Sequence, residues 1–105
     1  YCQLLLKLNN IMNNYQIILG KTYYNKGYFN VGIAASHSLG LNGESITLIS
    51  KNQLNLLFKI NRTANKNESV RIYGGKKLID FFQNNYKLFD VLKFQVVNLN
   101  QINIL

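Results

Sequence analysis

Proline and tryptophan are absent from the 105 residues, and cysteine, methionine and histidine occur once each. A single Cys2 cannot close an internal disulfide, and one histidine beside it offers no spacing for a structural zinc site, so no metal or other cofactor is expected. A reducing, cytoplasmic setting fits this usage. Acidic residues are almost as scarce, four Asp and Glu against twelve Lys and Arg. Such scattered carboxylates supply no cluster for metal-assisted hydrolysis, and the chain reads as a non-catalytic domain. Long apolar runs are missing too. The leucine-containing stretch 1–8 has no basic leader, is followed by Asn9 and Asn10, and falls far short of the ~20 apolar residues that cross a bilayer. Neither a signal peptide nor a membrane span is expected. The chain starts at Tyr1 rather than at Met, which suggests a fragment of a larger protein or a processed product.

What is present is a hydrophobic fraction of 48% with only 15% charged residues, enough to bury one core in a single domain over 1–105. The net charge of +8 makes a polyanion the expected partner, and nucleic acid and an anionic membrane both qualify. No acid precedes Glu44, so Lys7, Lys21 and Lys26 stand unneutralised; Glu68, Asp80 and Asp90 follow singly.

Period 2 dominates the patterning. Strands are expected at 15–19, 27–31, 44–49, 54–60, 69–73, 91–97 and 101–105, with a hairpin joining 44–49 to 54–60. Residues 21–26 and 61–68 read as two basic polar loops. Helices are expected at 33–39, closed by Gly40, and at 76–84, where Leu78, Ile79, Phe81 and Phe82 make one apolar stripe. The expected fold is mainly β (α+β): a seven-stranded, mostly antiparallel sheet curled into an open pseudobarrel, with two short helices.

Two local patterns invite chemistry and do not support it. Ser36 and His37 are neighbours on a helix and point in different directions, which fails the geometry of a nucleophile and its base and leaves His37 as a surface or capping residue. Gly74-Gly75-Lys76-Lys77 lacks the spacing of a phosphate-binding P-loop and reads as a turn before a basic helix start.

The stretch Lys77-Leu78-Ile79-Asp80-Phe81-Phe82-Gln83-Asn84-Asn85-Tyr86-Lys87-Leu88-Phe89-Asp90-Val91-Leu92-Lys93-Phe94 resembles the B-three DNA-binding pseudobarrel. That family has a helix ending in an aromatic residue, a polar link, a Leu, then Gly-Asp and a strand with a buried Phe. Gly27-Tyr28-Phe29-Asn30-Val31 with the following helix, and Ile60-Asn61-Arg62 with Val70-Arg71-Ile72, are similar to further parts of it. The resemblance covers about 15–105. Phe89 stands where Gly is usual and no Trp precedes the helix; these departures favour the restriction branch, of the EcoRII, BfiI and LlaJI types, over the plant transcription factors, and the Pro usual before 34–40 is missing as well.

The resemblance implies two arms that enter the major groove of double-stranded DNA, here 21–28 and 61–71. Asn25, Asn61, Arg62 and Arg71 would read bases, since Arg can hold guanine O6 and N7 and Asn adenine N6 and N7. Lys21, Lys26 and Lys66 would hold phosphates, joined by Tyr24 and Tyr73. A nuclease or NTPase domain or subunit of the same restriction system would supply the cleavage chemistry. Plainer readings remain: an ion pair of Arg71 with Glu68 or Asp80, a solvated Arg62, and tyrosines that are half core and half surface. Two other functions compete, a single-stranded DNA or RNA-binding barrel and a basic protein-interaction or membrane-surface module that reads no base.

Overall fold

Alternation sets the sheet. In β3 (Ser45–Ile49) Ile46 and Leu48 are buried while Ser45 is exposed, and in β6 (Val91–Asn98) Leu92, Phe94 and Val96 are buried with Val91 and Lys93 outside. The same two-residue period places Phe58 and Ile60 of β4 (Asn55–Asn61), and Ile102 and Ile104 of β7 (Gln101–Ile104), in the core. This computed structural model describes residues 14–105; Cys2, Lys7 and the leucine-containing stretch 1–8 lie outside the described residues.

With β1 (Asn14–Ile18), β2 (Tyr28–Asn30) and β5 (Arg71–Tyr73), seven strands form one sheet in the order β1-β6-β7-β3-β4-β5-β2. Every neighbour pair is antiparallel except β3 with β7, where Thr47, Leu48 and Ile49 face Gln101, Ile102 and Asn103. The sheet curls into a half-barrel around a core that Phe29 ties together. Its ring meets Phe94 of β6 at 6.2 Å and Phe82 at 6.1 Å, both edge-on, so the terminal strand β2 is held to the far side of the barrel.

Three short helices accompany the sheet rather than the expected two. The long one, α3 (Lys76–Asn85), buries Leu78, Phe81 and Phe82 and leaves its polar side to solvent. There Lys76 and Asp80 form an ion pair at 3.2 Å, with little effect on stability at such exposure. Helix α2 (Ile33–Ser36) is shorter than expected and gives way to turns before Gly40. Residues 21–26, expected as a loop, are the helix α1 (Lys21–Lys26).

Tertiary contacts explain α1, because Thr, Tyr and Asn are indifferent helix formers. The Tyr24 hydroxyl donates to the Tyr86 carbonyl at 2.9 Å, and Gln83 Nε2 donates to the Tyr24 carbonyl at 3.3 Å. Gly27 ends the helix in the left-handed region at φ 71°, its N–H bonded to the Tyr23 carbonyl. The backbone there also leaves no room for a side chain: a Cβ on Gly27 would collide with the Gly75 carbonyl oxygen. The Gly27 carbonyl accepts from the N–H groups of both Gly74 and Gly75, which joins the end of α1 to the start of α3. Gly74-Gly75 is thus a turn before a helix, as its sequence implied.

Candidate nucleic-acid interface

Strands β2 and β5 pair with Tyr28 opposite Tyr73, Phe29 opposite Ile72 and Asn30 opposite Arg71. Since Phe29 and Ile72 are fully buried, alternation turns Tyr28, Asn30, Arg71 and Tyr73 to the outer face together. These four side chains are in register on one small area. Their pairing joins the two segments that carry most of the sequence-predicted site residues, since Lys26 lies just before Tyr28 and the 62–70 loop leads into Arg71.

The face is built as a layered contact. Tyr23, Tyr28 and Tyr73 form a cluster, Tyr23 edge-on to Tyr28 at 5.6 Å and Tyr28 stacked with Tyr73 at 6.1 Å. The Arg71 guanidinium carbon lies 4.3 Å from the Tyr28 ring centroid, a cation–π contact that places the guanidinium over the ring. Arg71 Nε donates to Asn30 Oδ1 at 3.0 Å, and Asn65 Nδ2 donates to the same oxygen at 3.0 Å. No ion pair of Arg71 with Glu68 or Asp80 forms; the one salt bridge among the described residues is Lys76 with Asp80. Next to Arg71, the residues Asn30, Ile33, Asn65, Lys66 and Asn67 line an open groove between the second loop and the start of α2. Lys21, Asn25, Lys26 and Lys66 are exposed, as is Tyr73, and none of these lysines has an acid within ion-pair distance among the described residues.

Three of the sequence-predicted site residues have other work. Arg62, expected to read bases, donates to four main-chain carbonyls: Nε to Gly40 at 2.8 Å, Nη2 to Ser36 at 2.8 Å and Leu39 at 3.0 Å, and Nη1 to Glu68 at 3.0 Å. Nor is it a solvated loop charge. Its fork takes carbonyls at the end of α2 and in the turn that follows, and it closes the root of the second loop. Asn61, paired with Arg71 across β4 and β5, spends Oδ1 on the N–H groups of Thr63 and Ala64 and on the Thr63 hydroxyl. That oxygen is the acceptor a two-point contact with adenine needs, so the expected adenine contact by Asn61 is replaced by a turn. Tyr24, expected at the DNA backbone, commits its hydroxyl to Tyr86 inside the α1–α3 contact.

Ser36 fastens the other end of the same loop. Its buried hydroxyl donates to the Gly32 carbonyl at 2.6 Å and accepts from the Val70 N–H at 2.8 Å, while His37 beside it is exposed. The 62–70 loop is therefore pinned at both ends to α2. Burial, and secondarily the charge of Asp90, raise the Tyr86 phenol above its usual value.

Asn30 lies outside both expected arms and was missed by sequence reading, while Tyr28 and Asn65 fall inside the arms without having been singled out as base or backbone contacts. The only signal available was the alternation in Tyr28-Phe29-Asn30, which implies that Tyr28 and Asn30 share a face once Phe29 is taken as core. Their proximity to Arg71 depends on strand pairing, which that alternation does not specify.

No family model matches the sequence, and no curated protein matches it. Solved structures do match in fold. A hypothetical protein of Arabidopsis thaliana superposes with a TM-score of 0.64 at 9% identity, over 89% of this chain and 87% of that one. The N-terminal domain of Helicobacter pylori LlaJI.R1 superposes with a TM-score of 0.62 at 13% identity, over 87% of this chain and 77% of that one. At such identities the likeness concerns the curled seven-stranded sheet and its short helices.

Proposed function

We propose that this chain is a B-three-like target-recognition domain of a restriction system, binding double-stranded DNA in a sequence-specific way through the outer face of β2 and β5 and the segments that flank it. The observation that carries the reading is Arg71 stacked on Tyr28, unpaired with any acid and flanked by exposed Lys26 and Lys66. The fold shared with the LlaJI.R1 domain supports the restriction setting. Arg71 is the base-reading side chain; Lys21, Lys26 and Lys66 bind phosphates, and Asn25 and Tyr73 stand at the margin of the contact. Arg62, Asn61 and Tyr24 shape the surface from behind. Cleavage belongs to a nuclease or NTPase partner, and the setting is cytoplasmic.

A single-strand or RNA barrel would need ring faces open to splayed bases. Here one face of Tyr28 is covered by Arg71 and its ring stacks with Tyr73, which favours the duplex. No helix among the described residues is long and apolar enough to cross a membrane.

Filter binding on cognate duplex, obtained by selection from randomised DNA, and on scrambled duplex is the test. Arg71→Ala is expected to lose about 1 to 3 kcal/mol on the cognate duplex and much less on the scrambled one. Lys26→Ala is expected to weaken both alike and to lower the slope of log affinity against log salt by about 1. Equal losses for both variants on both duplexes would remove Arg71 as the reader, and preference for single strands over duplex would transfer the chain to the competing class.

A further inference from the structure

Asn30 belongs to no arm that sequence resemblance marks, yet its carboxamide is the point where Arg71 and the second loop meet. Two donors, Arg71 Nε and Asn65 Nδ2, converge on Asn30 Oδ1, each at 3.0 Å. Convergent donors fix the orientation of the amide, since its nitrogen in that place would face two N–H groups. Asn65 is held in turn by the Ser69 carbonyl at 3.2 Å.

We infer that Asn30 is the positioning residue that sets Arg71's specificity, by tying down Nε so that only the end-on pair of Nη1 and Nη2 can meet a base, which selects guanine at that position. A guanidinium can offer a two-pronged contact along its side, through Nε and one Nη, or at its tip, through both Nη groups. In Arg71 the side is occupied at Nε by Asn30, and the ring of Tyr28 supports one face of the guanidinium. Nη1 and Nη2 have no protein hydrogen-bond partner among the described residues, so the tip is free. Such a fork matches the two acceptors O6 and N7 that guanine presents in the major groove. It repels the exocyclic amino groups of adenine and cytosine, because Arg has donors only. Preorganisation adds to this, since a side chain already clamped at Nε and on its face loses less conformational freedom on binding than a free one. This role for Asn30 rests on the functional reading above.

A tip-on fork could also grasp a phosphate, which carries no sequence information. The outcomes separate these sources. Asn30→Ala removes the tether, whereas Asn30→Asp keeps the acceptor. The first measurement needs no DNA: proton exchange at the Arg71 Nε–H, followed by NMR. Slowed exchange is expected in the native protein and in Asn30→Asp, and fast exchange in Asn30→Ala. The second is selection from randomised duplexes. Native protein and Asn30→Asp are expected to demand guanine at one position, Asn30→Asp with weaker affinity on all sequences; Asn30→Ala is expected to relax that one position about ten-fold while preferences elsewhere persist.

Fast exchange in the native protein would overturn the tether, whatever the DNA result. Slowed exchange with unchanged guanine preference in Asn30→Ala would overturn the positioning role, and so would a uniform loss on all sequences, which marks a phosphate contact or a merely structural residue. Slowed exchange in a native protein that binds no duplex would instead sink the functional reading, and the guanine assignment with it.

Discussion

Removing the Arg62 side chain is expected to destabilise the domain by about 3 kcal/mol and to weaken duplex binding on cognate and scrambled sequences alike. Hydrogen bonds from a charged donor typically contribute about 1.5 to 3 kcal/mol each, and Arg62 makes four. They share one side chain, and water reaches this half-buried site in the variant, so the sum is well below four independent bonds. The carbonyls of Leu39, Gly40 and Glu68 would lose the guanidinium donor, Ser36 would keep only the Leu39 N–H, and the second loop would still be tied through Val70 to Ser36 and through Asn65 to Asn30. Arg62→Lys is expected to recover only part of the loss, because an ammonium cannot reproduce a planar fork. Urea unfolding gives the stability, and hydrogen exchange across 63–69 reports the loop. If Arg62→Ala unfolded like the native protein and lost preference at one base only, Arg62 would be a reader after all. The contrast with Arg71→Ala, which should change recognition with little change in stability, separates the only two arginines by role.

Phe29→Ala is expected to cost about 3 to 5 kcal/mol, the range for deleting a fully buried aromatic side chain. Phe29 is inaccessible to solvent and touches Phe82 and Phe94, so its removal opens a cavity between β2, α3 and β6. The functional consequence follows from its position. Phe29 sits between Tyr28 and Asn30 on a strand of three residues at the end of the sheet order, and such a strand has few other means of staying in register. Loosened packing there should dissolve the stack of Arg71 on Tyr28 before the rest of the barrel melts. Thermal unfolding followed by far-ultraviolet circular dichroism, set beside tyrosine ring signals from NMR, would show it. Phe29→Leu, which refills much of the volume, is expected to restore most of the stability. A Phe29→Ala protein of native stability would mean that β2 is not held by the core contact described here.

Both expectations bear on a feature of the candidate site that is visible only in three dimensions: the proposed recognition surface is a pair of very short strands whose backs are core and whose fronts face outward. Stability and recognition therefore meet in alternate residues. Substitutions at 29 and 72 should act through folding, and those at 28, 30, 71 and 73 mainly through binding.

Much of this was legible in the residue pattern. Strict alternation in Ile46, Leu48, Leu92, Phe94 and Val96, and the stripe Leu78, Phe81, Phe82, specified strands and the long helix because burial of one face is a local demand repeated at a fixed period. The charge imbalance and the segments that carry it were equally open to reading, because charge is a property of composition. Tertiary structure alone decided that 21–26 is a helix, since Tyr24 bonds to Tyr86 across sixty-two positions and outweighs weak helix propensity. It alone decided that Arg62 is a pin and Arg71 a free fork, although both flank one loop. A guanidinium's role depends on which carbonyls or rings lie within about 3 to 4 Å, and the partners here, Ser36, Leu39 and Gly40 for one and Tyr28 and Asn30 for the other, are distant in sequence and arrive only when the sheet curls.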